Sequence, residues 1–181
     1  LHFFADTNPE TMVEQYTDLT GKPADIPFWS LAPQFWRNVN RNDAEIVDDI
    51  KKARAEGFPA TVFWIDRPWS SYYHNCKFDE KRFPDYKNTI QTINDYGYKL
   101  LLHHSPQMNK PGTSDIGSNG SDEVDEGLYD LFSKNNWLVK WYDGREFELK
   151  WGGGIGTYID FTHPGAIEKV TELIKRVTDL G

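Results

Sequence analysis

Asp66 is the residue whose type and position most directly suggest chemistry. It closes the apolar run Ala60-Thr61-Val62-Phe63-Trp64-Ile65 and precedes Arg67-Pro68-Trp69. Ligands of parallel α/β sheets bind beyond the carboxyl ends of the strands, so an acid there is well placed. It can accept hydrogen bonds from ligand hydroxyls, while Trp64 or Trp69 offers a flat apolar face. Sugars present alternating hydroxyls and C–H faces, so an acid beside tryptophan suits a carbohydrate. An ion pair with Arg67 is the structural alternative. Asp160 has a similar placement, but Thr162 and Pro164 follow it. A carboxylate near a helix start can satisfy free backbone N–H groups, which gives Asp160 a structural reading.

His103 and His104 stand at the end of a second apolar run, where an acid–base group or metal ligand could lie. Neighbouring strand residues point to opposite faces, so the two cannot readily chelate one ion. One is expected to face the cleft and the other to pack beneath it. His74 and Cys76 lack a clustered third ligand, and no metal site is expected. No HExxH, serine elbow or phosphate loop is present, and no cofactor is implied. Cleavage of a glycosidic bond needs two carboxylates at the scissile oxygen, for which Asp66 and Asp160 are the formal candidates.

The elements that must position these residues follow from periodicity. Asn8 and Pro9 start a helix carrying Met12, Val13, Tyr16 and Leu19, stopped by Gly21. A first strand is expected from Phe28-Trp29-Ser30-Leu31 to about residue 34–36. Asn42 and Glu45 resemble a capping box before Ile46, Val47, Ile50 and Ala53. The run at 60–66, a helix over about 86–96 and a strand over 99–103 follow. Continuously apolar strands alternating with helices predict a parallel sheet buried on both faces. Gly112 to Ser121 reads as a loop, with Ser121 capping a helix through Val124, Leu128, Leu131 and Phe132. Asp143-Gly144 predicts a hairpin between 137–142 and 145–151. Residues 157–161 read as a last strand, before a helix carrying Ala166, Ile167, Val170, Leu173, Ile174 and Val177.

The 181 residues suffice for one domain with a sizeable core. A formal charge of −8, spread along the chain, argues against a broad grip on nucleic acid. No apolar run approaches the roughly 20 residues of a membrane helix. The 7 Trp, 9 Tyr and 11 Phe exclude a disordered chain. Cys76 is the only cysteine, which excludes an internal disulfide framework. Asn119-Gly120-Ser121 is a glycosylation sequon. The closing helix leaves the alternation expecting another strand, so the chain reads as part of a larger enzyme.

Four segments resemble glycoside hydrolase family 31, a retaining α-glycosidase group with a (β/α)8 barrel. They are residues 15–21 with Ile26-Pro27-Phe28-Trp29; Phe63-Trp64-Ile65-Asp66 with Phe78-Asp79 and Arg82-Phe83-Pro84-Asp85; Gly97-Tyr98-Lys99-Leu100; and residues 158–166. The resemblance implies a partial (β/α)8 TIM barrel: the first three strand–helix units plus an insert with a hairpin. Residues 1–24 would end an N-terminal sandwich and lead in, and 25–181 would begin the barrel, with the insert at about 105–156. It implies that Asp66 is the acid bonding the sugar in subsite −1, with Arg67, Trp64, Trp69 and His103 as substrate-binding neighbours. Asp160 and His104 would be structural near the site, and Asp160 would not be a catalytic acid. The nucleophile and acid/base would lie beyond residue 181, leaving no catalytic carboxylate in this chain. Arg67-Pro68-Trp69 and His103-His104-Ser105-Pro106 depart from common family patterns, making a substituted or N-acetylated glycone as plausible as glucose. The implied partners are a carbohydrate substrate and the rest of the chain's own barrel and sandwich. The alternative is a non-catalytic carbohydrate-binding or structural α/β domain.

Overall fold

The structure, a computed structural model, describes residues 1–66, 69–113, 125–151 and 153–180. It divides into two compact units, Leu1–Leu31 and a second from Ala32 onward. In the first, helix α1 spans Pro9–Thr20. The Asn8 side chain accepts from Glu10 N at 3.0 Å, and Gly21 (φ +92°) ends the helix by donating to the Thr17 carbonyl. The expected strand at 28–31 is instead a 3₁₀ turn, Phe28–Leu31. Ser30 closes it, donating through both N and Oγ to the Pro27 carbonyl.

The second unit is built on β1 (Gln34–Arg37), β2 (Val62–Ile65) and β3 (Lys99–Leu102). These strands are parallel, with β2 central and the sheet unclosed. Helices α2 (Asp43–Ala55) and α3 (Tyr86–Asp95) are the crossovers. Asn42 Oδ1 caps α2 at Glu45 N, but Glu45 turns its carboxylate to Arg41 N rather than back to Asn42. Arg37 then pins β1 to α2 by a two-pronged pair with Asp49 (2.6 and 2.8 Å) and a bond to Glu45.

Period-two alternation divides the sheet into two faces. Phe35, Phe63 and Leu100 stand in register on one, and Trp36, Trp64 and Leu101 on the other. Ile46, Ile50, Phe63, Ile65, Ile90, Ile93 and Tyr98 form the core, each at most 4% exposed. Trp36 and Leu101 remain 51% and 39% exposed. The expectation that every strand is buried on both faces therefore holds only for central β2. Strands β1 and β3 alternate between exposed and half-buried residues. An incomplete barrel has this form, with helices packed outside and the inward face uncovered.

A second, antiparallel sheet contains β4 (Gln107–Asn109), β5 (Leu149–Trp151) and β6 (Gly154–Tyr158), in the order β4-β6-β5. Residues 157–161 are thus not a further parallel strand; the first two belong to β6 and its neighbourhood. Gly156 permits the close pairing, since a Cβ there would stand 2.4 Å from the Met108 carbonyl oxygen. The expected hairpin survives as a tight turn at Gly144 (φ +86°), with one bridge, Lys140 to Glu146. Its second arm instead pairs with β6. Helix α4 is Leu128–Lys134, shorter than expected, because Glu126 and Gly127 adopt positive φ and block helix before it. Ser121, Val124 and the sequon lie outside the described residues.

Helix α5 spans Pro164–Thr178 and buries Ala166, Val170 and Leu173. No described helix is long and apolar enough to cross a membrane.

Candidate functional site

The alternation that places Trp64 on the uncovered face places Asp66, two residues on, on the same face. His103 follows Leu101 there from β3. Asp66 is 9% exposed, and two neighbouring strands address its two carboxylate oxygens. From β1, Trp36 Nε1 donates to Oδ2 at 2.7 Å. From β3, His103 Nδ1 lies 3.4 Å from Oδ1. The acid is held between three strand ends.

The main chain of His103 is fixed as well. Its N–H donates to the Ile65 carbonyl (3.1 Å), extending the parallel ladder one residue beyond β3. Its carbonyl accepts from Trp69 Nε1 at 2.6 Å. Trp69 is only 2% exposed and packs on Phe78, with ring centroids 5.1 Å apart. It buttresses the strand ends from within and offers no open face. Trp64 is half-buried, its ring tilted against Trp36 at 6.3 Å. Its Nε1 is buried without a protein partner among the described residues.

Trp36 was not singled out from the sequence. The signal was present: β1 and β2 both carry a tryptophan followed by a residue of opposite facing, and parallel register puts Trp36 beside Trp64. An expected strand that begins at Phe28 and ends near 34–36 hides that register, because β1 begins only at Gln34. Arg67 lies outside the described residues.

His104 faces away from Asp66. Its ring stands 5.9 Å from that of His74, and its Nδ1 lies 3.8 Å from Cys76 Sγ. Burial pushes the Cys76 thiol up to about 11, an unreactive thiol. Among the described residues, no group of three or more His, Cys, Asp or Glu could hold a metal ion.

Asp160 bonds within its own turn. Its Oδ1 accepts from Thr162 N (2.9 Å) and Thr162 Oγ1 (2.6 Å), bonds that hold its carboxyl below the usual range. His163, not Asp160, caps α5, its Nδ1 accepting from Gly165 N at 3.2 Å. Asp160 thus shapes the turn feeding the cap. In the full-length protein, Asp160→Ala should lower the melting temperature while Asp160→Asn, which keeps an acceptor, lowers it less. Thermal melts of both variants check this.

Residues 23–181 match the model of the family described as glycosyl hydrolases family 31 TIM-barrel domain. An alpha-xylosidase of Emericella nidulans is 27% identical over 179 residues, covering 96% of this chain and 21% of that protein. Alpha-xylosidase 1 of Arabidopsis thaliana is 29% identical, covering 99% and 18% respectively. Among solved structures, a family 31 alpha-xylosidase from a soil metagenome complexed with xylose superposes with a TM-score of 0.76 at 23% identity. That match covers 98% of this chain and 24% of the other. A Flavobacterium johnsoniae dextranase complexed with glucose gives 0.81 at 18% identity, covering 97% and 20%. The chain therefore spans about a fifth of the length of these relatives. A family match across the whole of the second unit, joined to an unclosed parallel sheet with an antiparallel insert, shows that the chain belongs to glycosyl hydrolase family 31.

Proposed function

We propose that this chain is the first part of the catalytic barrel of a retaining α-glycosidase, and that Asp66 binds a hydroxyl of the sugar at the cleavage point. The observation carrying this reading is the orientation of Asp66: a largely buried carboxylate on the uncovered sheet face, held by Trp36 and facing His103. An acid so held accepts a hydrogen bond in a fixed direction, and it strengthens that bond as the ring flattens toward the oxocarbenium-like state. Trp36 and Trp64 supply the apolar wall. Residues 25–181 form the barrel portion with an insert at about 105–156, and residues 1–24 lead in from a preceding sandwich.

Double displacement requires a second pair of groups. A nucleophilic carboxylate and an acid/base carboxyl stand roughly 5–5.5 Å apart in retaining enzymes. Asp66 is the only carboxylate in β1, β2, β3 or the three residues after each that the structure describes. The nucleophile and acid/base are therefore assigned beyond residue 181. The substrate is an α-linked sugar. The alpha-xylosidases among the relatives make xylosides the first glycosides to assay, with substituted and N-acetylated glycones next to them.

The test is hydrolysis of aryl α-glycosides by the full-length protein, followed by trapping with a fluorinated glycosyl fluoride. The first-formed sugar should be the α-anomer, and the label should sit on an Asp or Glu after residue 181. A β-anomer would remove the retaining mechanism, and a labelled carboxylate within residues 1–181 would overturn the assignment. Binding of sugars without turnover of any glycoside would favour the non-catalytic reading.

A further inference from the structure

We infer that Trp36 is a specificity-determining residue of this site: its edge orients Asp66, its face receives the sugar ring, and together they select an equatorial hydroxyl. This deepens the reading of Asp66 given above and rests on it. An indole N–H lies in the plane of its ring and can only donate. The Asp66 Oδ2 that accepts it at 2.7 Å therefore sits at the rim of the Trp36 ring, not over either face. Trp36 does not hold the acid alone, since His103 Nδ1 lies 3.4 Å from Oδ1. What the indole adds is the alignment of the acid with an apolar face.

The ring is open and its place is set by the sheet. Trp36 is 51% exposed. Trp64, its partner in the β1–β2 register, is tilted by 54° with ring centroids 6.3 Å apart instead of stacking on it. The next residue, Arg37, pins β1 to α2 through Asp49 and Glu45, so the indole stays put and the sugar adapts to it. A pyranose lying flat on an aromatic face meets the negative π-cloud through its C–H groups. Its equatorial hydroxyls then point outward, toward the rim, while axial ones point into the indole or away from it. An equatorial hydroxyl is therefore the one that a carboxylate at the rim receives.

The experiment uses the full-length protein, an aryl α-glycoside that it hydrolyses, and analogues of that glycoside with one ring hydroxyl deleted or inverted at a time. In the wild type, deleting one equatorial hydroxyl should cost roughly tenfold or more in kcat/KM, and inverting it to axial at least as much. In Asp66→Ala the same deletion should cost little, which identifies the hydroxyl that Asp66 receives. Replacing Trp36 with benzothienylalanine keeps the flat ring and puts sulfur where the N–H stood. This should lower kcat/KM on the parent glycoside roughly tenfold and shrink the cost of deleting that one hydroxyl, leaving the costs of the others unchanged. Trp36→Ala removes the face as well, and the penalty for inverting that hydroxyl should fall to within about threefold.

An axial epimer at that hydroxyl hydrolysed as well as the parent would overturn the inference. So would a benzothienylalanine enzyme in which every hydroxyl counts as it does in the wild type. Equal losses on all the glycosides that track a lowered melting temperature would overturn it too, because the ring would then serve only the fold. Near-wild-type activity of Asp66→Asn, or unchanged deletion costs in Asp66→Ala, would instead remove the underlying reading of Asp66.

Discussion

Asp66→Asn in the full-length protein should keep the fold and lower kcat/KM by roughly 10²-fold or more. The substitution preserves shape, and the network can adapt to it. The amide oxygen can take the Trp36 indole N–H, now 2.7 Å from Oδ2. The amide NH₂ would then face His103 Nδ1, which stands 3.4 Å from Oδ1. What cannot be restored is the negative charge on which the proposed sugar contact depends. A hydrogen bond to a charged group contributes on the order of 1.5–3 kcal/mol, which is about ten- to a hundredfold in rate. Part of that interaction strengthens only as positive charge develops on the ring, so the loss should appear in kcat as well as KM. Asp66→Ala should be at least as inactive, and it should melt lower because Trp36 Nε1 loses its acceptor. Kinetics and thermal melts of both variants decide the matter. An Asp66→Asn enzyme with near-wild-type kcat/KM would remove Asp66 from the sugar site.

The strand-end position of Asp66 was legible in the sequence because its strand carries two strong signals. The run 60–65 is apolar throughout, and Asp66 ends it abruptly. The helices were legible for similar reasons: Asn8 with Pro9, Asn42 with Glu45 and Gly97 mark real ends. The first strand was misplaced because Phe28-Trp29-Ser30-Leu31 is apolar, and hydrophobicity alone cannot separate a strand from a 3₁₀ turn. The turn is set by Ser30 bonding back to Pro27, a local competition that periodicity does not reveal. The second sheet was harder. Residues 154–158 pair with 107–109 and 149–151, and nothing local distinguishes these partners from a parallel one. Gly156 was the clue, since a glycine within a strand signals close backbone approach. The site followed the same logic. Asp66 depends on one strand, but its partners Trp36 and His103 come from two others. Finding them needs the register as well as the motif.

A second large effect is expected on stability at mildly acid pH, from His74. Its side chain lies in the loop after β2, is 1% exposed, and packs edge-on to Tyr72 with ring centroids 5.4 Å apart. Burial, then the nearby His104, holds its pKa well below the ordinary histidine value of 6.5. In the folded protein it is therefore neutral, while in the unfolded chain it takes up a proton near pH 6.5. Below that pH the unfolded state binds the extra proton, so folding stability is complete above pH 6.5 and falls as pH drops further. The slope is about 1.4 kcal/mol per pH unit until the folded pKa is reached. Cys76 acts at the other end. Its thiol is raised from 9.0 to about 11, so stability should also fall as pH rises from 9 toward 11. Melting temperature should thus be highest between these limits. His74→Phe keeps an aromatic ring against Tyr72 and removes the titrating group. It should make the acid side of the profile shallower between pH 6.5 and 5, where His104, also held below its ordinary value by burial, keeps part of the slope, while leaving the alkaline side as it was. Melts of wild-type and His74→Phe full-length protein across pH 5 to 11 make the comparison, and parallel acid limbs in the two proteins would show that His74 does not carry the effect.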